Sequence, residues 1–86
     1  MPKISEFFGI AIYMYFDDHP PAHFHARYAE FEAVIRIEDL SVQRGALPPR
    51  ALGLVVEWGT LHQTELAAAW ERAQAGEPLS KIEPLE

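Results

Sequence analysis

Three of the four histidines in this 86-residue chain lie within seven residues, directly after two aspartates. The stretch from Asp17 to His25 reads Asp-Asp-His-Pro-Pro-Ala-His-Phe-His. The chain has no cysteine, so a metal site would have to use imidazole and carboxylate ligands, which suit Zn, Mn, Fe or Ni. We therefore expect a divalent transition metal ion to bind at a site drawn from Asp18, His19, His23, His25 and His62.

The spacing of the last two histidines of this stretch supports such a site. His23 and His25 are separated by one residue, which places both side chains on the same face of a β-strand, about 6.5 to 7 Å apart. Two imidazoles at that distance can converge on one ion. We expect Asp17, Asp18 and His19 to approach from the adjoining loop, and His62 to approach from a helix.

The same region also suits catalysis without a metal ion. Histidine titrates near neutral pH, so a histidine pair can divide the roles of acid and base. In this interpretation His23 and His25 cleave RNA, Arg27 stabilises the charge that develops on the phosphate, and Tyr15 lies beside them. A third interpretation is non-enzymatic: the histidines only organise a β-hairpin in an interaction or regulatory domain, which can form a homo-oligomer.

Composition limits these alternatives. Seven basic and thirteen acidic side chains give a formal net charge of −6, which weighs against non-specific RNA binding, although Arg27, Arg36, Arg44 and Arg50 leave room for a local basic patch. The length predicts one domain over residues 1–86. We expect a cytoplasmic protein with no membrane partner, because the sequence shows neither a signal-peptide pattern nor an apolar run of membrane-spanning length.

Period-two patterns dominate the first half of the chain. Residues 7–16 read as one strand, with Phe8, Ile10, Ile12, Met14 and Phe16 on the face expected to be buried. Residues 23–28 alternate with Phe24 inward, and matching the two apolar faces puts Tyr15 opposite His23 and Tyr13 opposite His25. Residues 31–37 predict a third strand after a turn at 29–30, and residues 40–44 a short fourth.

The second half of the chain predicts one long helix. The apolar period changes to about 3.6 residues over 50–75, after Pro48-Pro49, which suits a first helical turn. Gly59 marks a position where this helix can kink, or where it approaches the sheet closely, and Gly76 suits the C-cap. The expected architecture is α+β: an antiparallel sheet of three or four strands packed against one long C-terminal helix, with an extended tail that docks Leu79, Ile82 and Leu85.

The motifs of the chain resemble a small prokaryotic family known as domain of unknown function 4160. The segments that carry the resemblance are Phe7-Phe8-Gly9-Ile10, Met14-Tyr15, Asp18-His19, Pro21, His23-Phe24-His25, Arg50-Ala51-Leu52, Glu57-Trp58, Leu61-His62, Glu65-Leu66, Trp70 and Lys81-Ile82-Glu83-Pro84-Leu85. The resemblance implies a bacterial cytoplasmic protein, encoded beside a small partner protein in a toxin–antitoxin-like pair. It assigns no catalytic residues. It does place Asp18, His19, His23, His25, Glu57 and His62 in the family pattern.

Overall fold

A computed structural model describes residues 2–16 and 18–86, so Asp17, one of the expected loop ligands, lies outside the described residues. Five antiparallel strands form one sheet in the order β1-β2-β3-β4-β5, each paired with the next along the chain. Two helices follow. The elements are β1 Lys3–Phe7, β2 Ile10–Tyr13, β3 His23–Tyr28, β4 Phe31–Arg36, β5 Val42–Ala46, α1 Pro49–Leu61 and α2 Gln63–Gln74. The predicted α+β class and antiparallel sheet are confirmed.

The predicted number of strands was too low, because residues 7–16 contain a turn. The chain reverses at Phe8 and Gly9, where φ is 49° and 79°, and the lead-in before it forms β1. An aromatic residue with positive φ is unusual, so the unbroken apolar run hid this turn. Phe8 and Phe16 were expected in the core and are instead 59% and 43% exposed.

The apolar face of the sheet meets the helices around one tryptophan. Trp58 is fully buried. Its ring centroid lies 5.4 Å from that of Phe7 and 5.7 Å from that of Phe24. The core consists of Ile4, Phe7, Ile10, Ile12, Met14, Phe24, Ala26, Ala33, Ile35, Ile37, Leu47, Ala51, Val55, Trp58, Leu66, Ala69, Trp70, Ala73 and Ile82.

The predicted single helix is two helices, and they separate at His62 rather than at Gly59. His62 has φ −121° and ψ 24°, and its N–H donates to the carbonyls of Trp58 and Gly59. Immediately after it, the side chain of Gln63 donates to the carbonyls of Ile37 and Glu38, at 2.7 and 2.8 Å. The start of α2 is thereby tied to the end of β4, which redirects the chain. The helical period alone does not encode this tertiary contact.

Two other features of the second half match the sequence interpretation. Gly76 has φ 74° directly after the C-cap of α2, where the left-handed conformation favours glycine. The tail packs on the body as predicted: Ile82 is buried, and its N–H donates to the Ile4 carbonyl at 2.7 Å. Leu79 and Leu85 pack beside it, partly buried. In the described part of the chain, no helix is long and apolar enough to cross a membrane.

Candidate metal centre

The register between β2 and β3 determines where His23 and His25 lie. Tyr13 lies opposite His25, as predicted, whereas β2 ends before Tyr15 can face His23. On the inner face of β3, Phe24 and Ala26 are fully buried, which leaves His23 and His25 on the outer face. Burial of the two apolar residues therefore fixes the direction of the two imidazoles.

Asp18 joins this pair from the loop that precedes β3. One oxygen of Asp18 lies 2.8 Å from Nε2 of His23 and 3.4 Å from Nε2 of His25. The other carboxylate oxygen accepts the backbone N–H of His19 at 2.9 Å. Each of the three residues offers one ligand atom, and these atoms all lie within 4.8 Å of one another. We call Asp18, His23 and His25 the metal triad.

The loop that carries Asp18 is held from α2. The side chain of Gln74 donates to the Asp18 carbonyl at 3.0 Å, and the Trp70 ring lies 5.1 Å from the His23 ring. The Pro20-Pro21 peptide bond is cis. His23 is only 7% exposed as a result of these contacts, and the side chain of Asp18 is 24% exposed. The triad is thus half-enclosed and opens to one side.

The hydrogen bonds of His23 determine what its second nitrogen can do. Nδ1 lies 2.8 Å from the Pro21 carbonyl, and a carbonyl oxygen can only accept, so Nδ1 donates. In a neutral imidazole Nε2 then carries only a lone pair, yet it faces a carboxylate oxygen of Asp18 at 2.8 Å. Two acceptors at this distance need a cation between them, either a proton or a metal ion.

Hydrogen bonds to Asp18 keep its carboxylate ionised. Burial by itself raises the pKa of Asp18, but the hydrogen bonds from the His19 N–H and from the rings of His23 and His25 outweigh it. The net effect is a pKa below the ordinary value of 3.8. Asp18 is therefore anionic throughout the neutral range.

Two further residues were predicted at the site, Tyr15 and Arg27, and they lie at different distances from the triad. Tyr15 lies against His25, with ring centroids 4.5 Å apart, and burial, followed by the charge of Glu32, raises the pKa of Tyr15. Arg27 lies away from the triad, 5.9 Å above the Tyr13 ring and 4.0 Å from a Glu32 oxygen. Tyr15 thus lies beside the triad, whereas Arg27 is held beside Glu32.

Two predicted ligands do not enter the triad. The His19 side chain is exposed, and this residue contributes its backbone N–H. Nδ1 of His62 pairs with Glu65, and the His62 ring lies 5.6 Å from the Trp58 ring. The expected meeting of His62 with the hairpin imidazoles is therefore wrong. Because α1 and α2 separate at His62, the His62 side chain can pair with Glu65 in the first turn of α2.

Sequence reasoning also passed over residues that the sheet brings to the site. Glu32 on β4 places a carboxylate oxygen 3.4 Å from Nδ1 of His25. Val34 on β4 lies opposite His25 on β3 and opposite Arg44 on β5, so these three residues form a row across the sheet that ends at the edge strand β5. Arg44 had been noted only as part of a general basic patch. Strand alternation could have indicated Glu32, but the position of Arg44 depends on a register that no local pattern gives.

Comparison with known proteins gives one match. Neither the curated proteins nor the solved structures contain a significant match to this chain. The family model described as "Domain of unknown function (DUF4160)" matches residues 9–71. This span includes the complete metal triad and both helices up to the last turn of α2. The chain therefore belongs to the DUF4160 family.

Proposed function

We propose that this protein binds one divalent transition metal ion through Asp18, His23 and His25 and presents it to a ligand as a reactive centre. The observation that carries the proposal is the orientation of His23. Its Nδ1 donates to the Pro21 carbonyl, and its Nε2 lies 2.8 Å from a carboxylate oxygen of Asp18, a distance that requires a proton or a metal ion between the two atoms. Metal-bound histidines commonly donate the N–H of their second ring nitrogen to a carbonyl or carboxylate oxygen in this way.

The distances within the triad suit a metal ion. Metal–nitrogen and metal–oxygen bonds of about 2.0 to 2.2 Å separate neighbouring ligand atoms by roughly 3 Å. The two distances from Asp18, 2.8 and 3.4 Å, bracket that value. Each imidazole has an oxygen near its other nitrogen: the Pro21 carbonyl oxygen lies 2.8 Å from Nδ1 of His23, and a Glu32 carboxylate oxygen lies 3.4 Å from Nδ1 of His25. Of the two, only the His23 ring is oriented by a hydrogen bond on that side.

A three-ligand site differs from a purely structural one. Structural zinc sites are closed by four protein ligands, whereas catalytic sites have three and leave a position for water or substrate. Two histidines and one carboxylate also suit non-haem Fe(II). We therefore assign the ion a reactive role and include Zn, Mn, Fe and Ni among the candidates.

Metal-free RNA cleavage is the weaker candidate for these residues. That mechanism assigned the stabilisation of the phosphate charge to Arg27, and Arg27 lies beside Glu32 and over the Tyr13 ring instead. The raised pKa of Tyr15 also removes it as a base. A role in a two-protein, toxin–antitoxin-like module stays a prediction that is compatible with metal binding.

Calorimetric titration of the protein, prepared without a histidine tag, tests the proposal. We expect one of Zn²⁺, Mn²⁺, Fe²⁺ or Ni²⁺ to bind with a stoichiometry of one. Asp18→Asn and His25→Gln should each weaken that binding by more than about 100-fold, since ligand loss exceeds the 10–100-fold effect of outer residues. His62→Gln is the matched control and should bind as the unaltered protein does.

Two results would contradict the metal proposal. One is the absence of binding for all four ions; the other is an equal loss of binding in His62→Gln and His25→Gln. Circular dichroism of each variant separates loss of a ligand from loss of the fold. If the protein binds no metal and cleaves no RNA, the remaining interpretation is an interaction domain in which the histidines only organise the hairpin.

A further inference from the structure

Two clefts border the metal triad on the outer face of the sheet. The first, which we call the proline cleft, has a volume of about 250 Å³ and is lined by Asp18, His19, Pro20, Pro21, His23, Val34, Gln43 and Arg44. The second, which we call the glycine cleft, has a volume of about 300 Å³ and is lined by His25, Glu32, Val34, Arg44 and Gly45. Val34 and Arg44 line both, so a ligand of the metal triad has Arg44 as a neighbour on either side.

A β-bulge in β5 brings two polar side chains to the proline cleft. Val34 lies opposite Arg44 while Ile35 lies opposite Val42, which leaves Gln43 as the extra residue. Consecutive strand residues normally point to opposite faces, but Gln43 and Arg44 both line the proline cleft. Bulges are common next to active sites, where they redirect a side chain. The proline cleft is therefore lined by both Gln43 and Arg44 as well as by His23.

Arg44 differs from Arg27 and Arg36 in the ion pairs that it forms. Arg36 pairs with Glu38 at 2.9 Å and with Asp39 at 3.8 Å. Arg27 has Glu32 at 4.0 Å. Arg44 is exposed and forms no ion pair with any residue in 2–16 or 18–86. Among the described residues no carboxylate occupies its five N–H donors, so they can bind an oxyanion in the cleft.

We infer that the ligand of the metal site carries a phosphate group, which Arg44 and Gln43 bind across the proline cleft. This inference rests on the proposed metal function and names its ligand class. A metal ion, a forked guanidinium and an amide N–H₂ approach the ligand from different residues, so the best match gives each its own acceptor oxygen, three in all. A phosphate group supplies them, whereas a carboxylate has two. Charge-assisted, bidentate contact is the usual mode in which arginine binds phosphate.

The size and charge of the chain favour a small phosphorylated molecule over a nucleic acid. A cleft of about 250 Å³ holds a phosphate and a small organic group. Binding along an RNA backbone requires several cationic side chains, and the formal net charge of the chain is −6. Arg44 therefore recognises one phosphate group at the metal rather than a polyanion.

Binding of inorganic phosphate to the zinc-loaded protein tests this inference, with sodium acetate as the carboxylate probe. We expect phosphate to bind more tightly than acetate, and Arg44→Gln to weaken phosphate binding by about tenfold or more while zinc affinity stays the same. The matched control is Arg72→Gln on α2. Arg72 is exposed and lines neither cleft, so phosphate binding should be unaffected.

Three results would overturn the inference: equal binding of acetate and phosphate, an unchanged phosphate affinity in Arg44→Gln, or tighter binding of a short single-stranded RNA than of phosphate. Failure of the metal function is visible separately, as absence of binding of Zn²⁺, Mn²⁺, Fe²⁺ and Ni²⁺ in the unaltered protein. In that event, phosphate binding by the metal-free protein that depends on Arg44 would still support the anion site. Absence of phosphate binding in both the metal-free and the zinc-treated protein would overturn it.

Discussion

Nδ1 of His25 lies 3.4 Å from Oε2 of Glu32, on the side of the imidazole opposite the nitrogen that faces Asp18. The two atoms form no hydrogen bond, and Nδ1 of His25 is a buried atom with no hydrogen-bond partner among the described residues. An ion at Nε2 would make the Nδ1 proton a stronger donor. Glu32 is flexible and half-exposed, so its side chain can then close the gap.

Replacing Glu32 should therefore weaken metal binding without removing a ligand. We expect Glu32→Gln to lower metal affinity by about tenfold, at the lower end of the effect of residues that orient a ligand, because the contact is long in the metal-free protein. Calorimetric titration measures this change. Glu30→Gln is the control: Glu30 is an exposed turn residue that lines neither cleft. Equal affinities in the two variants would mean that Glu32 does not support His25.

Asp18 should make the stability of the metal-free protein depend on acid pH. Its pKa is lower in the folded protein than the ordinary value of 3.8, so ionised Asp18 stabilises the fold. That contribution is complete above the unfolded pKa and is lost as the pH falls through the folded pKa. Asp18→Asn should thus be less stable than the unaltered protein at pH 7, with the difference shrinking below about pH 4.

Urea denaturation with a metal chelator present, at pH 7, 5 and 3, measures the difference in the free energy of unfolding between the two proteins. The same difference at all three pH values would show that the carboxylate charge does not act on folding. A larger difference at pH 3 than at pH 7 would reverse the sign of the pKa change.

The metal triad could be predicted from the sequence to the extent that it depends on local alternation. Phe24 between His23 and His25 fixes both imidazoles on the outer face, and Asp18 lies in the loop that leads to them. His62 was placed wrongly because its direction depends on where α1 ends. That end is set by the contact of Gln63 with β4, across 26 residues of sequence.

The neighbours of the triad were harder to predict for a related reason. Glu32 and Arg44 reach the site through the pairing of β3, β4 and β5, and a bulge at Gln43 shifts the last register. The register between two paired strands depends on how the strands pack in the folded protein, so it cannot be predicted from the residues of either strand alone. In β1, by contrast, the failure was local: the turn has only Gly9 as a signal, next to Phe8 with positive φ.

The docked tail should contribute strongly to stability through one side chain. Ile82 is 6% exposed and its backbone N–H bonds to Ile4, while the Trp58 indole donates to the Glu83 carbonyl at 2.8 Å. We expect Ile82→Ala to lower the free energy of unfolding by about 2 to 4 kcal/mol, through lost burial and the cavity left behind. Chemical denaturation measures the change, with the exposed neighbour Lys81→Ala as control. A loss below about 0.5 kcal/mol, the range of surface substitutions, would mean that the tail packs loosely.

Two glycines of α1 allow a test of why the helix carries Gly59. An alanine Cβ at Gly53 would have no heavy atom within 4 Å among its described surroundings, whereas one at Gly59 would lie 2.7 Å from a methyl group of Leu40. Alanine is favoured over glycine in a helix interior by about 1 kcal/mol. Gly53→Ala should therefore raise the free energy of unfolding by about that amount. Gly59→Ala should gain less, because Leu40 must move and its backbone φ of 58° limits how the loop can adjust. Chemical denaturation of both variants measures the difference, and an equal gain at the two positions would show that the contact between Gly59 and Leu40 does not constrain the packing of α1.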